Sequence, residues 1–407
     1  MNKAVVNREI EDAARSAGDV GAVAIYSSAW RGGSGWFVQE MARGIAAAGT
    51  PVTLISPEAE PLSREPRHPN LSRILLPQGA GGRGPKPYRA FLALKRIALT
   101  FPLILKGRMK AKTILVTMTD WLPVTLLQFL WMRLIGARLV YVVHDVRPHA
   151  YSLPARLRKL EKLMISISYR LPHRLVTLTE TARKEMISYE KIRPDKVTVI
   201  PHGAYAAEVL TPLPGNSIVL VFGMLRRNKN ILETIRAFAK LPETSRIRLV
   251  IAGEPHVDDL DYWRDCEGEL RTLGDRVRCE VGFVPEQRVN ELLSECDALI
   301  LPYENFTSQS GVAVLAALSG RFVIATNVGG IGELIQAGLE ALTIERPVSA
   351  VTIAQALTEF EAITLPERRE RTERSVGRLT DYLSWTRIGR EYAEVARAVA
   401  AKGGSTA

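Results

Sequence analysis

The residues best suited to chemistry lie in the second half of the chain. An apolar run ends in Gly223, and Arg226 and Lys229 follow it before a helical segment. Cations on a loop after a strand can neutralise a diphosphate. The strand-type run Ala298–Pro302 leads through Tyr303-Glu304-Asn305-Phe306-Thr307 to Ser308, Gln309, Ser310 and Gly311, and then to the apolar helix Val312–Leu318. Ser and Gly at a helix start leave backbone N–H groups facing outward, an anion site supported by the helix dipole. Val328-Gly329-Gly330-Ile331-Gly332-Glu333 is a second glycine-rich turn one strand later. Three neighbouring strand ends thus converge on one anion-sized site, a more specific signal than any single loop.

The first half has a weaker set. Arg31-Gly32-Gly33-Ser34-Gly35-Trp36 precedes the helical run Phe37–Ala48. Glycines there let backbone N–H groups approach a phosphate or sugar. It is only part of a dinucleotide fingerprint: Val38 stands at the third glycine place, and Ser56 and Pro57 follow the next strand where an acid is expected. The run Arg138–His144 ends in a His144-Asp145 pair suited to polar contact or proton transfer. His256, Asp258, Asp259 and Asp261 imitate a metal cluster, but a polar loop entering a helix accounts for them. Gly32-Gly33-Ser34-Gly35 forms no Gly-x-Ser-x-Gly elbow, which disfavours a hydrolase.

These loops need strands to position them. The first half offers Val20–Tyr26, Val52–Ile55, Arg73–Leu76, Thr113–Thr117, Arg138–His144, Arg174–Leu178 and Lys196–Ile200. The second offers Ile218–Phe222, Arg248–Ala252, Val277–Val281, Ala298–Pro302, Phe322–Thr326 and Ala341–Ile344. The runs are Val/Ile/Leu-rich rather than alternating, as strands buried on both faces are. Helical stretches between them predict an α/β fold of two Rossmann-like domains with parallel sheets. The Pro- and Gly-containing stretch Tyr205–Asn216 reads as a linker. The expected division is 1–205, 217–380, and a final helix and tail, 381–407; apolar Trp385, Ile388, Tyr392, Val395 and Val399 give Tyr382–Ala401 a packing face.

Composition bounds the rest. The chain has 407 residues, 46% hydrophobic and 24% charged, which fits a folded chain of two or three domains and excludes disorder as its main state. Three scattered cysteines make neither a disulfide framework nor a zinc site and fit a reducing, cytoplasmic compartment. The charged first 20 residues lack the apolar core of a signal peptide, and no apolar run reaches the ~18 residues of a membrane span. Leu62–Lys112 carries twelve Lys or Arg against one acid, so this stretch equals the whole-chain excess of +11. Apolar Phe91, Leu94, Ile97, Phe101 and Leu105 run through it, so residues 62–112 are expected to lie on an anionic membrane surface. The few aromatic residues there and the lack of a recognition motif speak against nucleic acid.

Taken together, Gly223…Arg226-x-x-Lys229, Ala252-Gly253-Glu254, the Ser308–Gly311 turn and Val328–Glu333 resemble the GT-B glycosyltransferases, closest to glycosyltransferase family four, over residues 20–400. The resemblance implies two Rossmann-like domains facing a cleft, with the last helix crossing back to the first domain. It implies that Arg226 and Lys229 hold a donor diphosphate, that Gly33 and Gly35 lie against the donor phosphates, and that His144 sits beside the donor sugar. It adds Gly223, Gly253, Ser308, Gln309, Ser310, Gly311 and Glu333 to the donor site. The family's Glu-x7-Glu pair is absent, since Ser308 and Ala316 stand at those places. That likeness is to the branch building exopolysaccharide repeat units.

The expected activity is therefore sugar transfer from a UDP- or GDP-linked nucleotide-sugar to a lipid-linked saccharide acceptor on the inner membrane face, with no metal or other cofactor. Asp145 is the candidate base if the reaction inverts; if it retains, the leaving phosphate takes the proton. A nicotinamide-dependent oxidoreductase and a degenerate, non-catalytic GT-B protein are the alternatives.

Overall fold

Thirteen strands form among the described residues, each overlapping one of the apolar runs above. The computed structural model describes residues 21–29, 32–58, 68–77, 85–146, 153–204, 212–304, 306–307 and 309–401. The chain divides into two compact units, one running to Gly203 and resuming at Ser384, the other Ala204–Leu383. The first stretch ends at Gly203 against the expected 205, the second unit begins at Ala204 rather than 217, and the final segment begins at Ser384 rather than 381. The first seven linker residues, 205–211, lie outside the described residues.

In the first unit the order is β1 (Val23–Tyr26), α1 (Gly32–Ala47), β2 (Val52–Pro57), β3 (Leu71–Leu76), α2 (Lys86–Lys110), β4 (Thr113–Val116), α3 (Leu122–Leu134), β5 (Arg138–Val143), α4 (Arg158–Arg170), β6 (Arg174–Thr177), α5 (Glu180–Ser188) and β7 (Val197–Val199). All pairings are parallel, in the order β3-β2-β1-β4-β5-β6-β7. The order reverses between β1 and β4, so a crevice opens at their carboxyl ends.

The second unit has β8 (Ile218–Phe222), α6 (Ile231–Lys240), β9 (Arg248–Gly253), α7 (Leu260–Leu270), β10 (Val277–Val281), α8 (Glu286–Glu295), β11 (Ala298–Leu301), α9 (Gly311–Leu318), β12 (Phe322–Ala325), α10 (Gly329–Ala337), β13 (Leu342–Thr343), α11 (Ala350–Ala362) and α12 (Leu365–Tyr382). Its parallel sheet runs β10-β9-β8-β11-β12-β13, with the reversal between β8 and β11. Two apolar cores sandwich it. Val219, Ile235, Phe238 and Phe360 fill one face; Leu220, Leu299, Val314 and Leu379 fill the other. Buried Asp297 accepts the Gly215 N–H at 2.7 Å and the Ser217 N–H at 2.5 Å, fixing where the chain enters β8.

The last helix, α13 (Trp385–Ala401), returns to the first unit. Ile388, Tyr392, Ala396 and Val399 pack with Phe37, Met41 and Ile45 of α1. The two helices cross on glycine: a Cβ on Gly389 would lie 2.1 Å from the Gly44 carbonyl carbon. The sequence reading carried this helix back to Tyr382. Instead α12 ends at Tyr382, and Ser384 starts a new helix by accepting the Arg387 N–H at 3.2 Å.

The glycine segments also differ from expectation. Gly33 and Gly35 lie inside the first turn of α1, and Gly329, Gly330 and Gly332 inside α10, rather than in turns ahead of them.

Candidate active site

The second unit's site grows from the end of β8. Gly223 leaves the strand with φ 92° and Gly253 leaves β9 with φ 149°, both left-handed and suited to glycine. The Gly223 N–H donates to the Ala252 carbonyl at 3.0 Å. The next loop is tied to the end of β9 from both sides. Leu225 N–H donates to Glu254 O at 2.8 Å, and His256 N–H donates to Leu225 O at 3.0 Å. On this frame sits the short 3-10 turn Arg227–Lys229, closed by Asn230 at φ 49°.

That frame turns two cations inward. Lys229 Nζ donates to the Phe222 carbonyl at 2.9 Å and lies 5.9 Å from the centre of the Tyr303 ring. Burial, and then the neighbouring Arg226, push the Lys229 ammonium down to about 7. Arg226 Nε is buried with no hydrogen-bond partner among the described residues, as is Asn228 Oδ1. Buried donors are ordinarily satisfied. Two crowded cations, one with an orphaned donor, make a site suited to an anion.

The opposite wall comes from β11. Asn230 Nδ2 donates to the Pro302 carbonyl at 2.8 Å, joining the β8 and β11 loops across the switch point. Buried Tyr303 lies between Lys229 and the hydroxyl of Ser310, with which it hydrogen-bonds. Ser310 caps α9 by accepting the Ala313 N–H at 3.2 Å, and Gly311 is the first helical residue. A Cβ on Gly223 would lie 3.2 Å from Lys229 Nζ and 3.5 Å from Val312 Cγ2, so α9 begins beside the cations. Gly329 closes the arrangement from β12, where a Cβ would lie 2.0 Å from the Phe306 carbonyl oxygen.

Thus Gly223, Arg226, Lys229, Gly253, Ser310 and Gly311 come together. Gln309 is buried beside them in sequence, and Glu333 is half-buried in the second turn of α10. Ser308 lies outside the described residues. The sequence reading missed Asn230 and Tyr303. Its readable signal was an Asn just before a helix, a residue type that tolerates left-handed backbone.

In the first unit, His144 follows β5. Its Nε2 bonds Thr117 Oγ1 at 2.8 Å, and the ring meets Phe37 edge-on at 4.7 Å. Burial, with His202 adding to it, depresses the imidazole to about 3, so it is neutral near pH 7 and a poor proton acceptor. That makes it a hydrogen-bonding group. Tyr169 OH donates to the Val146 carbonyl at 2.8 Å and holds the backbone beside Asp145. Gly33 is exposed and Gly35 buried at the start of α1. Val38, at the third glycine place of a dinucleotide fingerprint, is buried in the core.

A network absent from the sequence reading lies at the β1/β4 switch point. Asp120 accepts from Tyr26 OH, from Gln128 Nε2 at 2.8 Å and from Arg96 at 3.1 Å. Its members are far apart in sequence, so no local spacing announces it. Of the metal-like residues of the second unit, Asp261 pairs with Arg264, and His256 and Asp259 serve the backbone. His256 Nδ1 accepts the Asp258 N–H at 3.3 Å and Asp259 accepts the Arg227 N–H at 3.2 Å. Among the described residues no group of three or more His, Cys, Asp or Glu side chains could hold a metal.

Two doubly wound parallel units, with the last helix returned to the first, define the GT-B architecture. The comparisons give the particular family. A family model described as Glycosyltransferase Family 4 matches residues 31–207, and one described as Glycosyl transferases group 1 matches residues 216–361. The chain belongs to these GT-B, family-four-type glycosyltransferases. It is 23% identical over 222 residues to the lipopolysaccharide 1,2-N-acetylglucosaminetransferase of Salmonella typhimurium, covering 50% of this chain and 57% of that one. The chain spans about half the length of the curated relatives it matches, 48% for glycogen synthase of Mycobacterium tuberculosis. Among solved structures, the sucrose-phosphate synthase of Thermosynechococcus elongatus matches with a TM-score of 0.70 and 18% identity over 94% of this chain and 100% of that one. Anabaena HepE in complex with UDP and glucose matches with a TM-score of 0.68 and 15% identity over 93% of this chain and 100% of that one. At such identities the likeness is one of fold.

Proposed function

We propose that the protein moves a sugar from a nucleotide-sugar, UDP- or GDP-linked, to a hydroxyl of a lipid-linked saccharide in bacterial exopolysaccharide or glycolipid assembly. The observation that carries the reading is the cation pair, Arg226 and Lys229, at the β8/β11 switch point with an orphaned guanidinium donor. The difficult step is departure of the nucleoside diphosphate. Arg226, Lys229 and the N–H groups at the start of α9 stabilise the charge it develops. Fixed cations and dipoles take the place of a metal. Gly223, Gly253, Gln309, Ser310, Gly311, Ser308 and Glu333 complete the donor site, with Gly33 and Gly35 against the phosphates.

His144, neutral and held by Thr117, orients the donor sugar or the incoming hydroxyl rather than taking a proton. Asp145 is the base in an inverting reaction; in a retaining one the leaving phosphate takes the proton. The UDP in the complex of the Anabaena protein and the lipopolysaccharide in the name of the Salmonella relative support the donor and acceptor classes. The test is transfer of labelled sugar from UDP- and GDP-sugars to a lipid extract, for the native protein and Arg226→Ala. Equal transfer by both contradicts the assignment.

We place the protein at the inner membrane face through residues 62–112, of which 62–67 and 78–84 lie outside the described residues. Within α2, Tyr88, Phe91, Leu94 and Met109 are exposed among Lys86, Arg89, Lys95 and Lys110. No helix among the described residues is long and apolar enough to cross a membrane. Flotation with anionic liposomes at low salt tests this, and protein left at the bottom of the gradient contradicts it.

A further inference from the structure

The far end of the first sheet, where its strands begin, carries a second cationic cluster. Arg138 opens β5, Arg174 opens β6 and Lys196 directly precedes β7. Arg133 and Arg170 lie in the last turns of α3 and α4, which end on the same side. The carboxyl strand ends with His144 are at the opposite edge. Helix C-termini favour cations, and this accounts for Arg133 and Arg170 being there. It does not account for how the side chains meet.

They meet at His173. Its Nδ1 accepts the Leu139 N–H at 3.0 Å. A neutral imidazole accepting at Nδ1 carries its hydrogen on Nε2. That Nε2 faces Arg133 Nη1 in a close contact and Arg138 Nη1 at 3.2 Å. Guanidinium has donors only. Three donor groups, from α3, β5 and the turn before β6, therefore converge on one point, and among the described residues no acceptor stands there. Neither Arg133 nor Arg138 has a carboxylate partner among the described residues. The nearby groups do not supply one. Lys196 Nζ donates to the Arg170 carbonyl at 2.7 Å, Arg174 donates to the Asp195 carbonyl, and the Asp195 carboxylate lies 3.5 Å from Arg193. Burial and then the surrounding arginines push His173 down to about 4 and Lys196 to about 8, as in a cluster with uncompensated positive charge.

We propose that Arg133, Arg138 and the His173 Nε2–H form a binding site for a phosphate-bearing anion, separate from the site at the strand carboxyl ends. A phosphate oxygen supplies the missing acceptor, and the two guanidinium forks match the remaining oxygens. Arg170, Arg174 and Lys196 add field around it. The phosphate belongs to a lipid headgroup or to a soluble phosphate compound. Leu134, 78% exposed beside Arg133, and exposed Leu163 and Ile167 on α4 provide apolar surface next to the cluster. This inference stands apart from the transferase reading.

The test follows the His173 ring protons by NMR. Inorganic phosphate is titrated at constant ionic strength into the native protein, into Arg133→Gln/Arg138→Gln and into the control Lys159→Gln, an exposed cation of α4 outside the cluster. Matched melting temperatures establish that the variants fold. The proposal expects a saturable shift, about tenfold weaker in the double variant and unchanged in the control. Phosphatidylglycerol vesicles, with phosphatidylcholine vesicles for comparison, separate the sources. If the double variant loses binding to the anionic vesicles and the control does not, the phosphate is a headgroup. If phosphate saturates the site and the vesicles do not discriminate, it is a soluble compound. The proposal is overturned if phosphate gives no saturable shift and the vesicles bind all three proteins alike, or if the control loses as much as the double variant.

Discussion

A Cβ on Gly253 would lie 2.0 Å from the carbonyl oxygen of Gly223. Both residues also have left-handed φ angles, so the ends of β8 and β9 touch in a way that only glycine permits. The contact sets the position of the loop that carries Arg226 and Lys229. Gly253→Ala must push that loop away from β9. We expect a loss of about 1–3 kcal/mol in stability from strain at such a position. Nucleoside diphosphate affinity falls with it. Thermal unfolding and calorimetric titration on the same variant measure the two effects.

The cation pair predicts a selective loss of turnover. Arg226→Ala and Lys229→Ala each lower kcat by about 10²–10³, the size expected for removing one group that stabilises charge in the transition state. Circular dichroism should be unchanged, since neither side chain belongs to the apolar core. A rise in KM alone, with kcat intact, assigns these residues to ground-state binding instead.

Lys229 also predicts a pH dependence with a definite sign. Its folded value of about 7 lies below the ordinary 10.5 of a lysine, so between these limits the unfolded chain holds more protons. The stability contribution of this group therefore rises with pH from about 7 to 10.5 in the ligand-free protein. Bound diphosphate favours the ammonium form, so nucleotide affinity runs the other way and weakens as pH climbs above about 7. Calorimetry in buffers of different ionisation enthalpy should show proton uptake on binding, and Lys229→Met should abolish it.

His144, at about 3, stays neutral throughout the physiological range. The acid limb of the pH–rate profile should therefore not belong to it. His144→Asn, which retains a hydrogen-bonding side chain, should keep more activity than His144→Ala and leave the profile's shape unaltered. A limb that disappears in His144→Asn contradicts this role.

The crossing of α1 and α13 is tight enough to be tested by volume. Gly389 lies against the Gly44 backbone, so Gly389→Val must separate the helices. Overpacking of this kind costs about 1–3 kcal/mol. A melting temperature equal to that of the native protein would show that the crossing is looser than its geometry.

Every apolar run read as a strand became one, because strands buried on both faces leave a continuous Val/Ile/Leu signature that needs no partner to be recognised. Arg226, Lys229, Ser310 and Gly311 were legible for a related reason: parallel topology brings the carboxyl ends of β8 and β11 side by side. What the sequence hid depends on contacts distant along the chain. Gly33 and Gly329 looked like turns because glycine is a poor helix former. The need that places Gly329 in a helix, the backbone of Phe306, is visible only in three dimensions. Asp120 drew no attention in the sequence, since Tyr26, Arg96 and Gln128 are supplied by different elements. The break between α12 and α13 was readable in Ser384, a capping residue ahead of an apolar repeat, but the periodicity across it resembled one helix.

The most direct test of the central claim is thermal unfolding with UDP, GDP, TDP and NAD, each added to the native protein and to Arg226→Ala/Lys229→Ala. A ligand of the folded state at ~100 times its dissociation constant adds ~2.7 kcal/mol of stability. One nucleoside diphosphate should raise the melting temperature of the native protein, NAD should not, and the double variant should lose the response. Stabilisation by NAD alone, or by no nucleotide, would contradict a nucleotide-sugar transferase; an equal response from both proteins would contradict the site.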